Sequence, residues 1–372
     1  MSLKSRLREQ VLEAVVVEQP TLGQRATRGA LAMAALGYGA GVRLRNAAFS
    51  LGLLRVGRLP CGVVCVGNLT VGGTGKTPTV IALARRLTHG GRKVAVLLRG
   101  YGRAGTDVQV VSDGRDLFLD WRRAGDEALL LAKNLPGVPI VVGGDRTAAG
   151  WLAVRRFGPD IILLDDGFQH RQLHRDLDLV MLDATDPFGG GRLLPRGLLR
   201  EPVVALRRAH AILLSRTDQV AETAGLRRRL EQIIPGVPHV LTRHRPSGLN
   251  ELRSGEERTL ESLRGRRVLA VSGIANPWGF HRTLTDLGAI LAATPTFPDH
   301  HPYDSADLLR VETAAREVRA EMIVTTEKDA VRMPGEVASG PILVLRVDVE
   351  VVDGAEALDR LLRRRAVGGE RG

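Results

Sequence analysis

Short apolar runs rich in valine, isoleucine and leucine recur along the chain, and each is bounded by glycine, proline or aspartate. Runs of this length and composition are typical of buried β-strands. They predict strands at residues 61–66, 93–98, 138–142, 160–165, 177–183 and 210–215. Helical spacing of apolar residues at 76–89 and 146–157 falls between several of these runs. Apolar strands that alternate with helices predict an α/β fold, with a mostly parallel sheet covered on both faces.

A second, smaller α/β unit is predicted in the last third of the chain. Polar, arginine-rich sequence from about residue 225 to 266 interrupts the strand pattern, which resumes at 268–272, 321–325 and 342–347. A length of 372 residues is enough for two domains. We therefore expect a core domain over residues 59–244, and a smaller domain over residues 245–372 that closes over the ligand site of the core.

The first 58 residues have a different pattern. An uncharged stretch over residues 29–42 is 14 residues long, which is too short to cross a bilayer as a helix, and arginines flank it. A second stretch, over residues 44–54, has apolar residues at helical spacing with arginines around them. Basic amphipathic helices of this kind can lie in a membrane interface or pack on a neighbouring domain. The periodicity leaves both alternatives open for an amphipathic helical segment over residues 1–58.

The net charge of the chain limits the classes of molecule that we expect to bind it. The chain has 53 lysine and arginine residues against 41 aspartate and glutamate residues, a formal charge of +12. A strongly basic protein favours an acidic partner, such as a nucleic acid, an anionic membrane or a phosphorylated substrate. Aromatic residues make up only 3% of the chain, which leaves few rings to stack on single-stranded bases. Because no helix-turn-helix or RNA-binding signature accompanies the charge, we do not expect nucleic acid to be the partner.

The two cysteines, Cys61 and Cys65, lie four positions apart in one apolar run. As part of a strand they would share one face and be buried. Two buried cysteines exclude a disulfide scaffold and a four-cysteine zinc site, and they fit a reducing cytosol.

A glycine-rich segment, GNLTVGGTGKTP at residues 67–78, stands between a predicted strand and a predicted helix. Such a turn points backbone N–H groups at a phosphate, and the helix N-terminus adds partial positive charge. Lys76 is positioned to reach the β- and γ-phosphates, and Thr77 to hold Mg²⁺. The first glycine of the usual phosphate-loop pattern is replaced by Thr70. Nucleotide-binding residues are expected at Thr70, Gly72, Gly73, Thr74, Gly75, Lys76 and Thr77.

Gly100, Gly102 and Gly105 spell G-x-G-x-x-G after a predicted strand, which is the nominal dinucleotide fingerprint. That fingerprint requires a helix directly after it, whereas a further strand pattern, TDVQVVSDG, follows here. We interpret the segment as a loop at the carboxyl end of a strand, where open α/β sheets bind their ligands. Arg99 is then a candidate phosphate contact.

Two carboxylates, Asp165 and Asp166, end another predicted buried strand. An acidic residue in this place beside a phosphate loop typically belongs to the Mg²⁺ shell. Two adjacent buried carboxylates repel each other, and a bound cation is the simplest reason for both. The alternative is that Asp166 only caps a turn with Gly167.

Asp126 and His300 are two further candidate catalytic residues, and they can act together only if the folded chain brings them into contact. Asp126 stands at the start of an apolar helix, where it can act as a stabilising helix-terminal charge. His300 lies in a turn-like segment, FPDHHPYD, of the second unit. A carboxylate oriented by a histidine can accept a proton from a substrate hydroxyl. Sequence spacing does not decide whether the two residues meet.

Taken together, GNLTVGGTGKTP, RGYG, GDE and DDGFQH resemble the tetraacyldisaccharide 4'-kinases, the lipid A 4'-kinases of Gram-negative bacteria. GGDR, LLPRGLLREP, VSGIANP, FPDHHPY and TEKD follow in the order of that family, so the resemblance spans nearly the whole chain. It implies a P-loop fold and transfer of the γ-phosphoryl group of ATP to the 4'-hydroxyl of an acylated glucosamine disaccharide 1-phosphate. It also implies a peripheral position on the anionic, cytoplasmic face of the bacterial inner membrane, which favours an interfacial N-terminal helix.

The resemblance further implies roles for particular residues. Asp126 and His300 are expected to form a dyad at the acceptor hydroxyl, with ATP and Mg²⁺ as cofactors. Glu201 is expected to join Asp165 and Asp166 near the metal. The TEKD segment at 326–329 receives no role, and no obligate protein partner is expected. The main alternative is a P-loop switch or assembly ATPase, which would hydrolyse ATP without a lipid acceptor.

Overall fold

The computed structural model describes residues 21–334 and 341–366. Its helices span Leu22–Ser50 (α1), Lys76–His89 (α2), Trp121–Ala124 (α3), Asp126–Asn134 (α4), Arg146–Phe157 (α5), Ala224–Ile233 (α6), Pro277–Asp286 (α7), Ser305–Glu317 (α8), Glu327–Ala330 (α9) and Ala355–Leu361 (α10). Its strands span Gly62–Asn68 (β1), Val94–Leu98 (β2), Gln109–Ser112 (β3), Ile140–Val142 (β4), Ile161–Asp165 (β5), Leu177–Asp183 (β6), Ala211–Ser215 (β7), His239–Glu251 (β8), Glu257–Arg258 (β9), Arg267–Val271 (β10), Ile290–Ala293 (β11), Met322–Thr326 (β12) and Ile342–Asp353 (β13).

The strands form one continuous, mixed sheet in the order β11-β10-β12-β13-β8-β7-β6-β1-β5-β2-β4-β3, with β9 paired to β8. Most neighbours are parallel, and the antiparallel pairs are β13 with β8, β3 with β4 and β8 with β9. Helices cover the sheet, so the predicted α/β fold with a mostly parallel sheet is confirmed. Each predicted strand is present, with bounds that differ by a few residues.

The central strand β1 is buried along its whole length. Its side chains alternate between the two faces of the sheet: Val64 and Val66 join one apolar cluster, and Val63 and Cys65 join the other. Cys61 belongs to the same cluster as Cys65, so the prediction that the cysteines share a buried face is confirmed.

Residues 225–266 do not interrupt the pattern of strands, although their polar composition predicted that they would. They contain α6 and the long strand β8, whose side chains alternate between buried and exposed positions. Arg243 is an exposed member of this alternation and pairs with Glu350 on β13. The expected domain boundary between residues 244 and 245 falls inside β8. The two sheet regions are therefore joined through a strand that pairs with β7 on one side and β13 on the other.

The N-terminal segment is one helix in place of the two stretches that the pattern indicated. Helix α1 begins after Thr21, whose side chain caps it, and ends at Ser50, so Leu51 and Leu54 lie outside it. Ala35 and Phe49 are buried. None of the helices in the described residues combines the length and the apolar content needed to cross a bilayer. The rest of the expected segment, residues 1–20, lies outside the described residues.

The carboxyl ends of the parallel strands β1, β2, β5, β6 and β7 lie along one edge of the sheet. The predicted phosphate loop follows β1, the RGYG segment follows β2, and the acidic pair ends β5. Since β1 lies between β5 and β6, the loop and the acidic pair are neighbours. The segments predicted to bind phosphate and Mg²⁺ therefore lie at the edge where open α/β sheets bind their ligands.

Candidate active site

The segment between β1 and α2 is shaped as a phosphate loop. Gly72 and Gly75 have φ angles of +118° and +85°, in the region that favours glycine, and Gly75 immediately precedes α2. A Cβ atom at Gly67 would lie 2.5 Å from Cβ of Phe168, so only glycine allows the loop this close to the segment after β5. Asn68 Nδ2 donates to Thr74 Oγ1 at 3.1 Å. The loop leads into the N-terminus of α2, where N–H groups and the helix dipole favour an anion.

Thr77 and Asp165 meet beside this loop. The Thr77 hydroxyl donates to Asp165 Oδ2 at 3.4 Å, and Asp165 is buried. Burial, followed by the negative charge of Glu127, raises the pKa of Asp165 to about 8, although Lys76 acts in the opposite direction. A buried carboxyl that favours its proton so strongly lacks a sufficient positive partner among its protein neighbours.

Asp166 lies in the left-handed backbone region, with φ +52°. Its carboxylate accepts from both terminal nitrogens of Arg200, at 2.7 and 3.0 Å, and its Oδ1 lies 3.7 Å from Lys76 Nζ. Burial alone would raise the pKa of Asp166, but the charges of Lys76 and Arg200 outweigh it and hold the pKa below its usual value. Asp166 is therefore a charged partner of two cations.

Glu201, which is expected near the metal, pairs with an arginine in this structure, and its role at the metal stays a prediction. It is buried, and its Oε2 accepts from Arg208 at 2.7 Å and from Asn46 of α1 at 3.2 Å. Within residues 21–334 and 341–366, no three His, Cys, Asp or Glu side chains converge as a metal site. Asp166 and Glu201 are each paired with a neighbouring arginine.

Arg99 is exposed at the end of β2, and Arg146, at the start of α5, is buried. The Arg146 guanidinium donates to the carbonyls of Gly143 and Gly144, at 3.2 and 2.8 Å. Burial and the nearby positive charge of Arg99 lower the pKa of Arg146 to about 10. Two cations thus lie close together near the acidic pair. This arrangement suits a phosphate-bearing ligand.

Asp126 and His300 meet, although 174 residues separate them. Asp126 Oδ2 lies 2.7 Å from His300 Nδ1, and the carboxylate is only 4% exposed. Burial would raise the pKa of Asp126, but the hydrogen bond from His300 and the charge of Lys328 hold it below its usual value. Asp126 is therefore ionised at neutral pH and able to accept a proton. The neighbouring His301 is directed elsewhere, with Nε2 2.7 Å from Asp307 Oδ2.

Several charged residues at the site were not identified from the sequence. Lys328 Nζ lies 3.3 Å from His300 Nε2, and the buried Arg332 lies 3.6 Å from Asp126 Oδ2. Arg200 holds Asp166. The rarity of lysine in the chain and the TEKD motif were the available signals for Lys328, but neither indicated which side chain it would contact.

Comparison with known proteins shows which family this chain is similar to. The family model described as tetraacyldisaccharide-1-P 4'-kinase matches residues 27–366. This chain belongs to that family. The kinase is 46% identical to a tetraacyldisaccharide 4'-kinase of Anaeromyxobacter sp. (strain Fw109-5), over 94% of this chain and 97% of the relative. It is 43% identical to that of Syntrophus aciditrophicus (strain SB), over 84% of this chain and 87% of the relative.

A solved structure gives the same answer for the fold. The crystal structure of LpxK from Aquifex aeolicus in complex with ATP matches this kinase with a TM-score of 0.73 and 32% identity. The match covers 91% of this chain and 99% of the other. The family resemblance, the fold class and the ATP-dependent lipid A 4'-kinase activity expected from the sequence are thereby confirmed. The alternative of a switch or assembly ATPase is not favoured.

Proposed function

We propose that this kinase transfers the γ-phosphoryl group of ATP to the 4'-hydroxyl of a tetraacylated disaccharide 1-phosphate, with Asp126 as the proton acceptor and His300 as its orienting partner. The observation that carries this assignment is the 2.7 Å contact between Asp126 Oδ2 and His300 Nδ1. Glu127, the next residue, interacts electrostatically with Lys76, Asp165 and Asp166, which supports a position of the pair beside the phosphate loop. A proton acceptor beside a phosphate loop is what a hydroxyl kinase requires.

The phosphate loop and its cations bind the nucleotide in this proposal. Residues 70–77 supply backbone N–H groups, and Lys76 contacts the β- and γ-phosphates. In the structure Lys76 faces Asp166, so the lysine exchanges part of this pairing for the phosphates when ATP binds. Arg99 is exposed at the same edge and is assigned to the phosphates as well. Their charges stabilise the negative charge on the transferred group.

Mg²⁺ fits Thr77 and Asp165. A hydroxyl and a carboxylate are hard oxygen ligands of the kind that Mg²⁺ prefers, and the raised pKa of Asp165 reflects a buried carboxyl that lacks a compensating cation. When bound there, Mg²⁺ supplies charge neutralisation for the phosphates. Asp166 and Glu201 bind arginines in this conformation, so we assign them to holding Arg200 and Arg208 around the site.

The acceptor step is proton transfer coupled to phosphoryl transfer. The 4'-oxygen forms a bond to the γ-phosphorus, the bond from γ-phosphorus to the leaving oxygen of ADP breaks, and the hydroxyl proton passes to the carboxylate of Asp126. His300 holds that carboxylate in one orientation, which keeps the hydroxyl in line for attack. We also propose that the smaller unit closes over the site when ATP binds, since Ala275 already lies near the phosphate loop, 3.9 Å from a Cβ built on Gly73.

Helix α1 is proposed to lie on the anionic, cytoplasmic face of the inner membrane. Met33, Leu36 and Leu44 are 70%, 67% and 74% exposed, and with Ala40 and Ala47 they follow helical spacing along one side. An apolar side flanked by arginines suits a membrane interface. The opposite side contacts the kinase core, where Tyr38 donates to the carbonyl of Arg200 and Asn46 to Glu201. A lipid held at this helix would therefore lie close to the active site.

Incubation with labelled ATP and the lipid disaccharide monophosphate, followed by chromatography of the lipid, tests the proposal. We expect label in the lipid with wild-type protein and labelling slower by about 10²- to 10⁴-fold with the Asp126→Asn variant. A switch ATPase would instead release labelled phosphate in the absence of lipid. The position of the label on the disaccharide tests the 4'-hydroxyl as acceptor.

A further inference from the structure

Lys328 contacts the ring nitrogen of His300 that faces away from Asp126. Its Nζ lies 3.3 Å from His300 Nε2 and 3.0 Å from Asp299 Oδ1. A lysine ammonium has three donors and no acceptor, so a hydrogen bond from Lys328 to Nε2 requires that nitrogen to be unprotonated, as in a neutral imidazole. In that tautomer the ring proton is on Nδ1, which lies 2.7 Å from Asp126 Oδ2 and is in reach to donate to it.

We propose that Lys328 is a positioning residue that holds His300 as the neutral Nδ1–H tautomer and so keeps Asp126 the proton acceptor of the pair. The inference rests on the function proposed above for Asp126. Lys328 acts through His300, and the proton of the acceptor hydroxyl still passes to Asp126.

The surroundings of His300 explain why a cation is needed there. His300 Nε2 lies 3.6 Å from Asp299 Oδ2, so without Lys328 the ring stands between two carboxylates. Two carboxylates favour the doubly protonated imidazolium. The positive charge would then move from the lysine onto a ring that is in direct contact with Asp126. A cation this close weakens the affinity of the carboxylate for a proton.

Charged and aromatic groups from several segments surround His300 and influence its protonation. Asp126 approaches from α4, Lys328 from α9 and Asp299 from the loop that carries the histidine, and the ring of Tyr101 lies 5.4 Å away between centroids. Arg332 lies behind the pair, 3.6 Å from Asp126 Oδ2. Lys328 is the cation that contacts the free ring nitrogen.

The backbone of Lys328 is held firmly enough for this role. Thr326 caps α9 by accepting from the N–H of Asp329 at 3.1 Å. Asp329 is fully buried, and its Oδ1 accepts from the hydroxyl of Tyr303 and the N–H of Gly273, both at 3.0 Å. The Lys328 side chain itself is 23% exposed, so its replacement leaves the buried contacts of Asp329 in place.

The kinetic test compares three variants over a range of pH. Because an imidazolium beside Asp126 is the inactive form in this proposal, the acid limb of the kcat profile marks its formation. Lys328→Met should move that limb to higher pH by about one unit, which lowers kcat on the limb about tenfold. The KM for ATP should stay unchanged. Lys328→Arg keeps a cationic donor and should restore the wild-type limb. Lys93→Met is the matched control, because Lys93 precedes β2 at the opposite edge of the sheet.

Nitrogen NMR of ¹⁵N-histidine-labelled enzyme, without substrate, reads the tautomer directly. The chain has nine histidines, and the spectrum of His300→Gln assigns the resonances of His300. We expect a neutral ring protonated on Nδ1 in the wild type, and an imidazolium at neutral pH in Lys328→Met.

A wild-type ring protonated on Nε2 would overturn the inference. An unmoved acid limb would also overturn it, and a raised KM for ATP beside it would make Lys328 a nucleotide ligand. These results leave the dyad intact. Full activity of Asp126→Asn or His300→Gln, in contrast, would remove the proposed dyad and the inference with it, whatever the spectrum shows.

Discussion

Loss of the Asp126–His300 contact provides the most specific test of the proposed mechanism. Asp126→Asn keeps the shape of the side chain and removes its ability to accept the hydroxyl proton. Positioned acid–base groups contribute about 10²- to 10⁴-fold to the rate, or roughly 3 to 5.5 kcal/mol of transition-state stabilisation. Because the side chain is only 4% exposed, water cannot easily replace the missing carboxylate, and we expect a loss toward the upper end of that range.

His300→Gln has a smaller expected effect, since His300 acts through Asp126. The structure gives this histidine one hydrogen bond to the carboxylate, at 2.7 Å. A hydrogen bond to a charged group contributes about 1.5–3 kcal/mol, which corresponds to roughly 10- to 100-fold in kcat. The double variant should be within about threefold of Asp126→Asn alone, because residues that act as a unit are not additive.

The assay is single-turnover transfer of labelled phosphate to the lipid, with ATP affinity measured separately by calorimetry. ATP binding should persist in all three variants, which shows that each still folds. His301→Gln is the matched control, since that neighbouring histidine contacts Asp307. Losses that multiply in the double variant would mean that the two residues act independently, and the reasoning would be refuted.

Three further predictions follow from the phosphate loop, the acidic pair and α1. Lys76→Ala should abolish transfer without lowering the unfolding temperature by more than a few degrees, since the ion pair of the lysine with Asp166 is long, at 3.7 Å, and Arg200 still pairs with that carboxylate; near-normal turnover would remove the phosphate-loop assignment. Burial and Glu127 raise the pKa of Asp165 from 3.8 to about 8, so the stability that this carboxyl contributes to the metal-free protein is greatest below pH 3.8 and is lost as the pH rises to about 8. Asp165→Asn should therefore raise the unfolding temperature of the metal-free protein near pH 8 while weakening the response of activity to Mg²⁺, and an unchanged Mg²⁺ titration would make Asp165 structural. Met33→Glu with Leu36→Glu should reduce binding to anionic vesicles and raise the KM for lipid but not for ATP, whereas unchanged sedimentation with vesicles would direct the search for the membrane contact to another surface.

The sequence by itself determined the features that are local. Buried strands such as β1 are encoded as uninterrupted apolar runs, because a parallel strand covered on both faces has no solvent side. The phosphate loop is contiguous, and its glycines precede the helix that they help to start, so loop and helix were predicted together. Strand β8 was missed because it is half exposed, and its alternating arginines gave it the composition of a loop.

The tertiary structure decided which charges meet. The sequence contains Asp126, His300 and Lys328 without any spacing rule that joins them, because their contacts depend on how β12 and the loop after β11 are aligned with α4 across the sheet. Pairing of Glu201 with Arg208 also depends on the fold, and the role near the metal that the family resemblance implies for Glu201 stays a prediction. Charge pairing is decided by distances of a few ångströms between distant segments, and local pattern carries no information about such distances.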